Sequence, residues 1–276
     1  MTRLRAIFLT PAAVVMGVLF AAPLVVILFY SVMSRGVYGG VELPYTIENW
    51  TRLIDPLYLR ILARSFVMAG AATLGCLLLG FPLALFISRG GARKNLYLYL
   101  VILPFWTSFL VRTYAWMFLL RDTGLINTVL LSLGVLREPI AMLYTPGAVL
   151  VGLVYGYLPF MVLPLYATLE RIDRNLLEAA ADLGARPWQS LLRVMVPLAA
   201  PGIRAGALLV FIPCLGAYLT PDLLGGSKTI MAGNLIQNQF TNARDWPFGA
   251  AVSLALMAVV MLLLTVWVRR EKAPLL

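Results

Sequence analysis

The sequence predicts an all-α, polytopic membrane protein with six transmembrane helices, and two observations carry the prediction. The first is composition. Of 276 residues, 61% are hydrophobic and only 12% charged, against roughly 45–50% and about 25% in soluble domains. A water-soluble fold of this length would need far more charge to cover its surface. The second is the spacing of the few charges. They leave uncharged runs of 29 residues between Arg5 and Arg35, 24 between Arg64 and Arg89, 31 between Glu138 and Glu170, and 23 between Asp245 and Arg269. Each exceeds the roughly 20 residues that a helix needs to cross the hydrocarbon core.

The first span is placed at 9–33. Its basic start, Thr2-Arg3-Leu4-Arg5, also suits a secretory signal peptide. The apolar region runs on past Ala21-Ala22-Pro23 through 24–30, however, so it reads as an uncleaved helix. The second span is placed at 65–88. The third, at 96–120, contains one charge, Arg112. The fourth lies at 144–169. The fifth, at 202–220, is the shortest, with 17 uncharged residues between Arg204 and Asp222. It must borrow residues before Arg204, whose long side chain can snorkel. The sixth lies at 248–268, and residues 1–276 form a single transmembrane domain.

Lys and Arg number 22 against 12 Asp and Glu, a formal charge of +10. In a soluble chain that excess suggests nucleic acid. Here the basic residues are spread singly among apolar runs, so they read as topology signals and no nucleic-acid partner is expected. With the N-terminus inside, the inner segments 1–8, 89–95, 170–204 and 269–276 hold 13 Lys and Arg, against 8 outside. The positive-inside rule then places both termini in the cytoplasm. The sequence has no histidine, which excludes histidine metal ligands and a histidine triad, and no metal site is expected. Cys76 and Cys214 fall in apolar segments and read as small buried hydrophobes.

Polar interruptions within the spans single out candidate residues. Arg112 is too costly to face lipid at mid-depth. It either snorkels or pairs structurally, or it lines an aqueous cavity. Pro82, Pro104, Pro159, Pro164 and Pro213 interrupt the helical hydrogen-bond ladder, a defect that transporters use where backbone lines a cavity. Between spans, 34–64 carries Tyr38, Tyr45, Trp50 and Tyr58 and is expected to form an external lid or interfacial anchor. Segment 221–247 is rich in turn residues, with 231–240 able to form a short external or re-entrant helix. Lys228 is no phosphate-loop lysine, since the motif would need Gly where Ser227 and Asp222 stand.

The segment from Glu170 to Trp188 mixes charge with good helix formers. Asn175 is expected to cap a helix with Glu178 at the capping-box position. That helix should run to about Leu183 and stop at Gly184. Pro187 would then open a second short helix, with Leu177 and Leu183 supplying apolar contacts. The pair makes a compact knob.

Glu178-Ala179-Ala180, then Gly184, Val194, Val196 and Pro197, resembles the EAA motif of binding-protein-dependent ABC importer permeases. The family pattern has Ile and Leu where this chain has Val194 and Val196. The resemblance implies the type I ABC importer permease fold, with 170–201 as a cytoplasmic loop that docks on an ATPase through Glu178, Ala179, Ala180, Leu183, Gly184 and Pro197. Within the superfamily the chain is similar to the first permease subunits of spermidine/putrescine importers. The similarity lies in 103–116, in Gly124-Leu125-Ile126-Asn127, in 222–228, in Asn234-Leu235-Ile236, and in Asp245-Trp246-Pro247-Phe248-Gly249.

That resemblance implies a multi-pass subunit of the bacterial inner membrane that is not itself an enzyme and binds no cofactor. It implies a second permease, two copies of a cytosolic ATPase that binds ATP and Mg, and a periplasmic substrate-binding protein. A polyamine pathway needs aromatic or acidic partners for its ammonium groups. Trp106, Tyr114, Trp116, Tyr155, Tyr157 and Tyr218 are the aromatic candidates, beside Arg112 and the acidic Asp222, although aromatics at such places also anchor helices at the lipid interface. Related permeases carry other small solutes and ferric iron. A secondary transporter would leave the motif spacing accidental, and the spans contain no carboxylate pair or nucleophile-base cluster for a membrane enzyme.

Overall fold

The computed structural model describes residues 2–173 and 175–271. Arg174 and Lys272, two of the basic residues counted toward the inner face, lie outside the described residues. The chain begins with α1 (Thr2–Ser31), a hairpin of β1 (Met33–Arg35) and β2 (Val41–Tyr45), and the short α2 (Glu48–Arg52). Next come α3 (Pro56–Ser88), α4 (Lys94–Ile102), α5 (Phe109–Leu120), α6 (Leu125–Ser132) and α7 (Pro146–Leu169). The rest consists of α8 (Asn175–Asp182), α9 (Pro187–Ser190), α10 (Val196–Leu198), α11 (Ala200–Leu215), α12 (Ala232–Thr241) and α13 (Trp246–Glu271).

Among the described residues, four stretches are long and apolar enough to span a bilayer alone: Leu9–Ser31, Pro56–Ser88, Pro146–Leu169 and Trp246–Thr265. Two bent helix pairs pass the same test only when taken together, Gly91–Trp106 with Phe109–Ser132 at 89° and Pro187–Leu198 with Ala200–Leu215 at 68°, the first arm of the latter lying within the loop 170–201. Counting each pair as one span gives the expected six.

The boundaries differ in instructive ways. The 33-residue α3 is about 50 Å long at 1.5 Å per residue, well beyond the hydrocarbon thickness. It starts nine residues before the expected 65, because Arg60 and Arg64 limit burial in lipid without opposing helix. Pro56 opens it, and the Asp55 carboxylate accepts from the Leu57 N–H at 2.8 Å. The expected third span, 96–120, is broken. Pro104 has no N–H to donate, the chain tightens to a 3₁₀ turn at Leu103–Trp106, and Thr107 and Ser108 are extended with ψ 151° and 136°. The fifth span ends at Leu215 rather than 220, which leaves Tyr218 beyond the helix. The Arg204 Nε donates back to the Ala200 carbonyl, one turn earlier, at 3.2 Å.

By contact density the chain forms two compact units, one of residues 1–62 with 235–276, the other of 63–234. In the first, α1 lies along α13. Leu53, Leu235, Phe248, Ala251 and Val252 make a small core, with Trp50 and Tyr58 packed against it. The Asp245 carboxylate caps α13 by accepting from the Phe248 N–H at 3.2 Å, and it also takes a 2.9 Å salt bridge from Arg52. The hairpin pairs Ser34 with Glu42 and Arg35 with Val41. Arg35 donates to the Ala243 carbonyl at 2.7 Å, and the Gly40 N–H donates to that of Arg244 at 2.9 Å. The segment 34–64, expected as a lid or interfacial anchor, is therefore this pinned hairpin with α2, followed by the start of α3.

In the second unit α7 is the central helix. Its start is set by Thr145, whose side chain accepts from the Ala148 N–H at 3.2 Å, with Pro146 in the first turn. Small residues let neighbours approach it closely, as membrane helices require. A Cβ added at Gly206 of α11 would sit 3.2 Å from the Met161 Cα, and one at Gly75 of α3 would lie 2.8 Å from Val154. The Cys76 thiol points at the Val154 carbonyl, 3.5 Å away.

Candidate functional site

The knob between the fourth and fifth spans forms as two helices meeting at a glycine, with one change in how it starts. Asn175 is the first helical residue, and Asp173 does the capping: its Oδ1 accepts from the Asn175 N–H at 3.0 Å. An Asp also places negative charge where the free N–H groups of the first turn favour it. At the other end the Gly184 N–H donates to Ala181 at 2.8 Å and the Ala185 N–H to Ala180 at 3.0 Å. These two bonds are a Schellman motif, which needs a left-handed residue at Gly184, and its φ is +81°. Pro187 opens α9, while the Gln189 side chain accepts from the Arg186 N–H at 2.8 Å. Leu191–Met195 widens into a π turn just before Pro197, whose missing N–H disturbs the regular ladder.

Leu176 and Leu177 hold α8 in place. Leu177 lines a cavity of about 90 Å³ with Leu85, Leu169, Ile172 and Met195, at the ends of α3 and α7. Leu176 borders a wider cleft of about 400 Å³ with Ile172, Leu198 and Pro201. Leu183 makes no such contact, contrary to expectation, and is 90% exposed. It lies past the end of α8, in the turn between Asp182 and Gly184. Glu178, Ala179, Gly184 and Pro197 are also exposed and Ala180 is half-buried. Trp188 and Leu192 are exposed as well. At the root of the loop Lys94 forms a salt bridge with Glu170, the residue that ends α7. The Lys94 hydrogen bond, and after it that of Tyr166, holds the Glu170 carboxyl below its usual range.

The residues expected along the translocation path fall into separate groups. Arg112, in the first turn of α5, places its guanidinium 4.1 Å from the Phe105 ring centre and 5.7 Å from that of Phe109. Phe105 lies before the break and Arg112 after it, so the stack spans the bend. The Arg112 Nε and Nη1 are shielded from solvent and find no hydrogen-bond partner among the described residues. Tyr157 faces Phe109 at 6.4 Å and Phe160 at 6.1 Å. Trp116 meets Tyr155 edge-on at 5.6 Å.

Tyr218 and Asp222 form another pair, joined by an N–H to carbonyl bond of 3.0 Å, both exposed. Tyr114 is exposed, and Trp106 is 84% exposed. Phe105, Phe109 and Phe160 were not singled out in the sequence, nor were Lys94 and Glu170 as a pair. A Phe in an apolar span has no distinguishing local signal, and partners 76 residues apart share no sequence pattern.

A polytopic α-helical chain with a two-helix loop projecting between its fourth and fifth spans has the architecture of an importer's membrane subunit. Residues 76–270 match the family described as binding-protein-dependent transport system inner membrane component. The chain is 46% identical over 251 residues to the spermidine/putrescine transport system permease protein PotB of Escherichia coli, with 91% of each chain covered. It is 37% identical to the inner membrane ABC transporter permease protein YdcU of Escherichia coli, covering 79% of this chain and 74% of that one. Among solved structures, a bacterial ABC transporter that imports the acidic polysaccharide alginate superposes with a TM-score of 0.74 at 16% identity, covering 98% and 96% of the two chains.

The chain belongs to this permease family and is a transmembrane subunit of an ABC importer in the inner membrane. ATP hydrolysis resides in a separate subunit, and the general assembly is a permease pair with an ATPase pair and a periplasmic binding protein. Among the described residues, no cluster of three or more His, Cys, Asp or Glu side chains could hold a metal ion.

Proposed function

We propose that this subunit forms half of a polyamine importer that takes up spermidine or putrescine by alternating access. The observation that carries the reading is the 46% identity with PotB over 91% of both chains. In this reading the second permease is a different chain, and two copies of one ATPase bind beneath the pair. Both termini face the cytoplasm, in line with the excess of Lys and Arg on that side.

The loop 170–201 is the ATPase dock. Glu178, Ala179, Ala180, Leu183, Gly184 and Pro197 provide its contact and shape. The exposure of Leu183, Trp188 and Leu192 supports this, because large apolar groups exposed on a loop are suited to burial by a partner. Along the path, the aromatic faces of Trp106, Tyr114, Trp116, Tyr155, Tyr157 and Tyr218 offer cation–π contacts to passing ammonium groups, and Asp222 offers one carboxylate. Arg112 braces the path wall through Phe105. No acidic residue lies deep in a span, so the path holds its substrate loosely and the binding protein selects it.

ATP-dependent uptake by the reconstituted complex tests the substrate, with a panel of polyamines, amino acids and ferric iron. Competition by spermidine and putrescine alone is the expected result. Uptake of a non-amine only would overturn the reading.

A further inference from the structure

Two salt bridges form among the described residues, Arg52 with Asp245 and Lys94 with Glu170. The second joins two helix ends. Lys94 opens α4, directly after a 3₁₀ turn at Gly91–Arg93. Glu170 ends α7 and also accepts a hydrogen bond from Tyr166, one turn earlier. While the two ends stay together, the two charges neutralise each other. If they part, each charge must be solvated alone.

The place of the pair in the chain gives this a consequence. Helix α4 is the short arm before the 89° break of the third span. Glu170 begins the loop that carries α8, and it lines the small cavity that Leu177 also borders. A displacement of the loop therefore meets the arm of the third span at this bridge.

We propose that the Lys94–Glu170 bridge is the strut through which movement of the coupling loop is passed to the third span. The two are positioning residues and touch no substrate. The proposal rests on the reading of 170–201 as the ATPase dock.

The test uses the whole importer in vesicles, with its ATPase and binding protein, and reads substrate transported per ATP hydrolysed. Lys94→Ala and Glu170→Gln should keep ATPase association and stimulated hydrolysis while transport per ATP falls about two- to fivefold, the range for an exposed ion pair. The reversed pair, Lys94→Glu with Glu170→Lys, should recover at least half of the ratio, as a loss caused by broken pairing does and a loss caused by misfolding does not. Joining Lys94→Cys to Glu170→Cys with a short bis-maleimide should restore it fully. The native Cys76 and Cys214 are buried, so the bridge can be placed selectively.

An unchanged ratio in both singles overturns the strut. So does a reversed pair as poor as the singles, or loss of transport on bridging, which would mean that the ends must separate. Retained ATPase association and stimulation in Glu178→Ala and Gly184→Val permeases would instead overturn the docking reading, a separate result.

Discussion

Gly184 offers the sharpest test of the proposed docking loop, because its requirement is purely conformational. A Cβ added there meets nothing within 4 Å, yet the residue sits at φ +81°. Any cost of substitution therefore arises from the backbone, at about 1–2 kcal/mol for an L-residue held in the left-handed region, and a β-branched residue is the least tolerant. That is a roughly 5- to 30-fold shift away from the native turn. Losing the turn would release the Gly184–Ala181 and Ala185–Ala180 bonds and swing α9 relative to α8.

Gly184→Val should therefore insert normally but lose most ATPase association, whereas Gly184→Asn should retain it, since Asn tolerates the left-handed region. Co-purification with the ATPase and substrate-stimulated hydrolysis read the outcome. Full association of the Val variant would refute the reasoning. Equal damage by Asn and Val would also refute it, since the cause would then be bulk at the interface.

Three further outcomes are expected. Arg112→Met and Phe105→Leu should lower uptake by similar factors without reducing membrane insertion, because each removes the same 4.1 Å stack across the break, worth about 0.5–2 kcal/mol; normal uptake in both variants would exclude the brace. Gly206→Val should lower the thermal stability of the purified permease by about 1–3 kcal/mol, the usual range for overpacking, because the Met161 Cα and carbonyl lie 3.2 Å from the new Cβ and are backbone atoms that cannot swing aside. An unaltered melting curve would show that α7 and α11 are not locked there. The lowered Glu170 pKa sets a pH window: a depressed carboxyl contributes above its ordinary pKa and is lost only as pH falls through the lowered value. Transport per ATP should thus be flat from about pH 6 to 8 in the wild type, and a step in that window that vanishes in Glu170→Gln would contradict this.

What the sequence determined by itself was everything governed by short stretches of chain. Uncharged runs placed six spans because the bilayer core demands about 20 apolar residues whatever surrounds them. Gly184 marked a helix stop because only the backbone at that residue decides it, and Pro187 marked a start for the same reason. The knob was legible down to its two helices, although the cap fell on Asp173 rather than Asn175 because an Asp two residues upstream offered the better acceptor. A proline at 104 announced a defect in the third span.

Tertiary structure decided the rest. Across the 89° break Arg112 stacks on Phe105, a contact between a ring and a cation that no spacing encodes. That Leu177 would be anchored and Leu183 left bare followed from where α8 ends and from the ends of α3 and α7 lying beside Leu177. Lys94 and Glu170 are ordinary flanking charges in the sequence. Only the fold brings the start of one helix beside the end of another, and electrostatic pairing depends on that separation in space.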